Sequence, residues 1–563
     1  MTFTSRIRRS VIATSALALL LPGAADAAPN QATAPQDASP AAQSFMISGS
    51  VVNAITGAPL SQARISIAET VDRGKVTSVI TSDDGHFAFS QLKAGKYSLQ
   101  GAKRGFISAA YDQHEQFSTA IVTGPEFSTE NLVLRLTPMA FITGHAFDEF
   151  GDPIRHAQVI LFFENHAAGM SRITRLYSST SDDRGFYDFS LLRPGKYYVS
   201  VTAKPWYAMH PSRPPNAAAN PAQQISPALD VAYPTTYYNG ATEADRSTPI
   251  EVKGGDRLQI DMHLNPAPAL HLVFRVPEDR PDQTNNFRMP ILQKHVFDSV
   301  EFAHTENMHR VAPGMYEVSG VPAGRYNIRI NNSSSGQLEQ STDLDLIHDG
   351  QELNDSRAEP LGSLKLFLKN PGEETLPKQY SVGLQDSRRR MVAFKQGDPS
   401  GQVSFEDLAP GKYAILVYSP TKPYSVVSLS SQAGVSQGHD VNVTPGAAMD
   451  LTATLSAGVV TIEGVVHKKD KPVAGVMVAL VPKDPENHIE LFRRDQSDFD
   501  GTFLLRGVTP GSYTIVAVED AWGFEWLQPG VLARYVQHGQ NLTIGELMRR
   551  TVHLPDPVEV QPR

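Results

Sequence analysis

One pattern recurs five times along the chain and limits its fold more than any other feature. A Gly opens a short apolar strand, a second Gly follows ten residues later, and a Tyr stands two beyond it. The first copy runs from Gly85-His86-Phe87-Ala88-Phe89 to Ala94-Gly95-Lys96-Tyr97, the second from Gly185-Phe186-Tyr187-Asp188-Phe189 to Pro194-Gly195-Lys196-Tyr197. The third joins Gly314-Met315-Tyr316 to Ala323-Gly324-Arg325-Tyr326, the fourth Gly401 and Phe405 to Gly411-Lys412-Tyr413, the fifth Gly501-Thr502-Phe503 to Gly511-Ser512-Tyr513. Five matches at one spacing mark a duplicated unit.

The unit reads as strands joined by tight turns. Phe87 and Phe89 alternate with polar neighbours, which sets one face of a strand on a core. Asp83-Asp84-Gly85 and Asp498-Phe499-Asp500-Gly501 precede that strand; Asp tolerates the turn and Gly supplies positive φ. Three units share a front half: Ile47-Ser48-Gly49 leads to Pro59, Ala63 and Ile65; Ile142-Thr143-Gly144 to Pro153, Ala157 and Val159; Ile462-Glu463-Gly464 to Pro472, Val476 and Val478. Residues 131–136, 258–264 and 449–455 read as closing strands. Short strands without helical periodicity predict an all-β chain, a tandem array of about five antiparallel β-sandwich domains.

The predicted sandwiches span 45–137, 138–266, 267–360, 361–456 and 457–556, with a tail over 557–563. Residues 28–44 read as a flexible leader and 205–230 as a Pro-rich insertion in the second unit. Short connectors suggest a semi-rigid rod. A chain of 563 residues with 41 Gly and 40 Pro suits many small cores. Arg6, Arg8 and Arg9, the apolar run 11–21 and Ala25-Asp26-Ala27 read as a signal peptide over 1–27, cleaved near Ala27. The general secretory route fits the residues around Arg8-Arg9 better than a twin-arginine route. Export to the periplasm or cell surface is the expectation. With no cysteine, neither a lipid-modified Cys nor a disulfide is available. No later apolar stretch is long enough for a membrane helix. The net charge of −9 argues against nucleic acid as a partner.

The residues Ile47-Ser48-Gly49, Gly57-Ala58-Pro59, Ser82-Asp83-Asp84-Gly85-His86-Phe87 and Ala94-Gly95-Lys96-Tyr97 resemble the carboxypeptidase regulatory-like domain. That resemblance implies a transthyretin-like (prealbumin-like) sandwich, related to carbohydrate-binding-like folds, and an accessory role without catalytic residues.

A search for chemistry follows from that name. Zinc carboxypeptidases need His-x-x-Glu and a distant His, and none of the 17 histidines has Glu three residues on. His145-Ala146-Phe147-Asp148 comes near that spacing, with Asp in place of Glu. No metal site and no cofactor are expected. Gly434-Val435-Ser436-Gln437-Gly438 satisfies Gly-x-Ser-x-Gly, with His439-Asp440 beside it, but strand and turn residues follow where a nucleophile elbow needs a helix. The acid pairs Asp83-Asp84, Asp182-Asp183 and Asp498 with Asp500 read as turn chemistry before calcium.

The aromatics are the most suggestive signal. Phe106, Trp206 and Trp522 each fall nine residues after the repeat Tyr. Tyr207 and Trp526 stand nearby, and these five are the candidate ligand-binding residues. Two readings stand: rings at one end of a sandwich grip a sugar or partner, or each closes its own core. The expected function is an exported, noncatalytic binding or scaffold protein whose partner is polysaccharide or another envelope protein. The alternatives are an accessory to a separate envelope peptidase or transporter, and a hydrolase using Ser436.

Overall fold

A computed structural model of the chain describes residues 44–563 apart from 73, 167–168, 212–225, 276–289, 303–307, 313–314, 332–337, 355–358, 372–375, 378, 433, 529 and 546–549. The expected signal peptide and all but the last residue of the leader lie outside the described residues, as does much of the 205–230 insertion.

Alternating burial builds each unit from two facing layers of strands, which in the fourth and fifth units are each joined into one nine-stranded sheet, by Tyr424–Ser431 and Val558–Gln561 respectively, each paired to both layers. In the first, Phe45–Asn53 runs between His86–Leu92, antiparallel to it, and Leu132–Leu136, parallel to it. The facing sheet is ordered Val76–Ile80, Arg64–Glu69, Gly95–Ala102, with Ala109–Ala110 and Ile121–Thr123 on its far side. Ile47, Val51, Phe87, Leu99 and Leu134 fill the space between.

The same plan returns four times. Opening strands Ala140–Phe147, Leu270–Arg275, Gly362–Lys369 and Val460–Lys468 each pair antiparallel with the strand before the repeat Gly-x-Tyr and parallel with a closing strand. The third unit, which lacks the Pro-containing front half in sequence, keeps this topology. The chain is all-β, with the four-residue Ala533–Val536 as the α-helix among the described residues.

The repeat residues explain themselves. Gly85, Gly185, Gly401 and Gly501 hold φ between 73° and 89°, and a Cβ there would press on the opening strand's carbonyl, as at Val51 O, 2.7 Å from the Gly85 position. The repeat Tyr hydroxyl donates to the carbonyl four residues back in all five units: Tyr97 to Lys93 (3.1 Å), Tyr197 to Arg193 (2.7 Å), Tyr326 to Pro322 (2.8 Å), Tyr413 to Ala409 (2.6 Å) and Tyr513 to Thr509 (2.9 Å). Each ring is buried in its core while its polar tip ties down the preceding turn. Four residues before the second Gly, a left-handed residue (Gln91, Leu191, Gly320, Asp407 or Gly507) shifts the register and bends the strand over the core.

The sandwiches do not form a rod. Contacts between residues some 400 positions apart fold the array back so that the first and fifth sandwiches meet. Lys96 Nζ lies 2.7 Å from Asp498 and 3.3 Å from Asp500. Arg494 pairs with Glu115 at 2.8 Å, both nearly buried. Gln496 donates to Asp112 O (2.6 Å) and Thr119 Oγ1 (2.8 Å), and Phe499 packs on the first sandwich's core. Short connectors limit only neighbours in sequence; surface complementarity between the first and last units decides the rest.

Candidate functional site

The five aromatics picked from sequence do not converge on one surface. Phe106 lies half-buried against the first core and bridges to Pro138, where it lids its own sandwich. Trp522 stacks on His114 of the first sandwich, centroids 5.0 Å apart and planes 7° apart, with Phe117 beside it. Trp526 is 8% exposed. The Arg494 guanidinium lies 4.4 Å from its ring centre, and a side chain at Gly169 of the second sandwich would collide with the same ring. These two indoles hold sandwiches together.

Trp206 is different, with 85% of its surface exposed. Its ring meets Tyr207 edge-on, at 5.8 Å and 84°. The Tyr207 hydroxyl donates to Glu149 Oε1, and Tyr233 donates to Glu149 Oε2 at 2.6 Å. Glu149 sits in the turn after the Ala140–Phe147 strand, a turn that Asp148 caps by accepting the Phe150 and Asp152 N–H groups at 2.9 and 2.8 Å. Two phenols thus grip one carboxylate, and the grip draws the 149–150 turn against the 206–207 segment. Phe150 on that turn is 75% exposed.

The electrostatics follow the hydrogen bonds. Burial pushes the Glu149 carboxyl up, but donation from Tyr207 and Tyr233 outweighs it and holds the group below the usual carboxylate range. Burial, then the bond to Glu149, pushes the Tyr207 phenol up to about 12 and Tyr233 higher still. At neutral pH the clasp is a fixed anion between two neutral donors beside an open indole. Such a surface can seat a polar ring, with its C–H face on the indole and its hydroxyls on the carboxylate. Sequence reading named Trp206 and Tyr207 but not Glu149, because a lone acid in a turn carries no signal until the fold brings two phenols to it.

The other candidates resolve locally. Ser436 lies on the Gly434–Gln437 edge strand, where its hydroxyl donates to Leu429 O at 3.3 Å, while the neighbouring His439 turns toward Glu490, 3.7 Å away. The acidic turns spend their carboxylates on the next strand's N–H groups: Asp84 on His86 (3.2 Å), Asp182 on Phe186 (2.9 Å) and Asp500 on Thr502 (3.1 Å). His145 pairs with Asp261 at 3.4 Å, not with Asp148. Against the expectation of no metal site, His439, His488 and Glu490 bring their ligand atoms within 4.8 Å of one another. Residues from two sandwiches build that group, so no local spacing announces it.

No curated protein matches the chain. Among solved structures it is similar to the Bacillus anthracis TIE protein, at 10% identity over 74% of this chain and 76% of that one, TM-score 0.18. It is also similar to a streptococcal ancillary pilin, at 13% identity over 53% and 100%, TM-score 0.19. Two B repeat units of the Staphylococcus aureus collagen binding protein match at 10% identity over 73% and 99%, TM-score 0.12. In sequence, residues 46–135, which hold nearly all of the first sandwich, match the carboxypeptidase regulatory-like domain.

Proposed function

We propose that the chain is an exported, noncatalytic binding and scaffold protein of the bacterial envelope, which holds polysaccharide at the Glu149, Tyr207 and Tyr233 clasp with Trp206 as its stacking face. In this reading the five sandwiches span 45–137, 138–266, 267–360, 361–456 and 457–556. The observation that carries the binding site is an indole 85% exposed beside a carboxylate already ordered by two phenols. Beyond its edge-on contact with Tyr207 this indole buries little of itself in the fold, whereas a pyranose stacked on it would bury its face. The noncatalytic reading is supported by the surroundings of Ser436, whose hydroxyl is committed to a backbone carbonyl.

The test is a tryptophan-fluorescence titration of the chain with a panel of soluble polysaccharides. A saturable shift that disappears in Trp206→Ala and weakens in Tyr207→Phe is expected. A shift that survives Trp206→Ala, or no shift across the panel, sinks the proposal.

One observation favours a second reading, docking to an envelope protein. Met391–Gln396 is a sheet-edge strand whose Met391, Val392 and Phe394 are 42%, 48% and 57% exposed. A partner strand could add there. Loss of envelope-protein cross-links in Val392→Lys would support it, and unchanged cross-links would remove it.

A further inference from the structure

The cleft where the second, fourth and fifth sandwiches meet has a volume of about 560 Å3, and His439, Glu490 and Asn487 are among its lining residues. His439 is in the turn before the Asp440–Val443 strand of the fourth sandwich. Its backbone carbonyl is fixed by the Ile415 N–H at 2.9 Å. His488 and Glu490 come from the fifth sandwich, at the start of the short Ile489–Leu491 turn of 3-10 helix. Asp484 anchors that segment by accepting the Asn487 side chain at 2.9 Å.

Three facts bear on what the cluster can hold. The first is geometry. Glu490 Oε1 lies 3.2 Å from His488 Nδ1 and 3.7 Å from His439 Nδ1. A tetrahedral ion with bonds of about 2.0–2.1 Å sets its ligand atoms about 3.3 Å apart, so small rotations seat one ion on all three. The second is an unmet need. The His439 side chain is 9% exposed, and its Nδ1 has no hydrogen-bond partner among the described residues. Burying a ring nitrogen that way is costly unless something accepts its lone pair or takes its proton. The third is orientation. Asp440 Oδ1 stands 3.8 Å from His439 Nε2, on the far side of the ring. An ion bound through Nδ1 would leave the proton on Nε2, the ring edge that faces this carboxylate.

The nearby charges are already occupied. Lys412 holds Asp440 at 2.7 Å, and Arg390 holds Asp386 at 2.7 Å. Arg493 spends its donors on the carbonyls of Glu490, Phe492 and Gly507. Among the described residues, His488 is the one side chain hydrogen-bonded to the Glu490 carboxylate.

We propose that His439, His488 and Glu490 form a site for a late first-row divalent ion, zinc foremost, that staples the fourth sandwich to the fifth. Two imidazoles and one carboxylate suit zinc or copper and do not suit calcium or magnesium, which take oxygen. Three protein ligands leave one position toward the open cleft, where water completes the shell. In a chain without cysteine no disulfide can join the two cores, and a bound metal would join them through side chains instead.

The test uses the whole chain produced without a histidine tag, titrated with Zn2+ by calorimetry and with Co2+ by its visible ligand-field bands. One ion per chain is expected, with no competition from Mg2+ or Ca2+. Affinity should fall at least about tenfold in His488→Ala and in His439→Gln. Zinc should raise the unfolding temperature of the parent chain and not of the variants. His488 is half-exposed, so its variant reads the site even where the buried His439 change disturbs folding. Uptake unchanged in His488→Ala, or no uptake by the parent chain, overturns the proposal.

Discussion

Trp206 and Trp522 occupy the same place in two copies of one unit, nine residues beyond the repeat Tyr, and lead opposite lives. Trp206 stands in solvent beside a clasped carboxylate. Trp522 is half-buried, stacked on a histidine of another sandwich, with its Nε1–H donated to Gly475 O at 3.2 Å. Duplication fixes where a side chain leaves its own sandwich. What that side chain does is decided by whether a neighbour arrives to cover it. The second sandwich left its indole open; the fifth had its indole taken by the first.

The comparison breaks most visibly at the seam. Arg494→Ala removes both the ion pair to Glu115 and the cation over Trp526, and leaves Glu115 nearly buried without its partner. Breaking such a pair costs about 3 kcal/mol or more. Urea unfolding should show the first and fifth sandwiches losing their shared transition; an unchanged profile would mean the seam is not energetically coupled.

Asp495 sharpens the same seam from the inside. Along Arg493–Gln496, residues 494 and 496 face the first sandwich, while Asp495 turns inward and accepts the Leu504 N–H at 2.7 Å. Burial pushes its carboxyl up from 3.8 to about 6. The folded pKa lies above the unfolded one, so the charge costs stability in full above about pH 6. The cost fades as pH falls toward 4. Asp495→Asn should therefore stabilise the chain by about 2–3 kcal/mol at pH 8 and by almost nothing at pH 4. Equal gains at both pH values would show that the effect is not electrostatic.

Trp522→Ala should cost about 2 kcal/mol, below the loss for a fully enclosed ring because this one is half-covered. Trp206→Ala should change stability by less than about 0.5 kcal/mol while abolishing the polysaccharide response. Iodide quenching separates the two rings directly. It should fall sharply in Trp206→Ala and hardly at all in Trp522→Ala. The reverse result would invert the assignment of open and covered indoles.

What was legible in the sequence follows the range of the interactions. The Gly and Tyr marks are local: one answers a positive φ, the other a hydroxyl four residues from its acceptor, so the five sandwiches could be read from spacing. The strand bulge was not readable as a repeat mark, because Gln91 and Leu191 carry no residue-type signal for the left-handed backbone that Gly320, Asp407 and Gly507 adopt at the same position. The site divided in the same way. Trp206 and Tyr207 stood out as rare aromatics near a repeat mark. Glu149 lies 58 residues from Tyr207, and His439 lies 49 from His488, so only the fold joins them. The seam was the least readable feature, since Lys96 meets Asp498 across 402 positions.

The meeting of the first and last sandwiches also sets how the molecule answers tension. A pull applied through these two sandwiches is carried across Lys96, Arg494 and Gln496 and bypasses the connectors between the others. The second sandwich shares that load, because Trp526 lies against Gly169 and Glu525 accepts the Ser171 N–H at 3.2 Å.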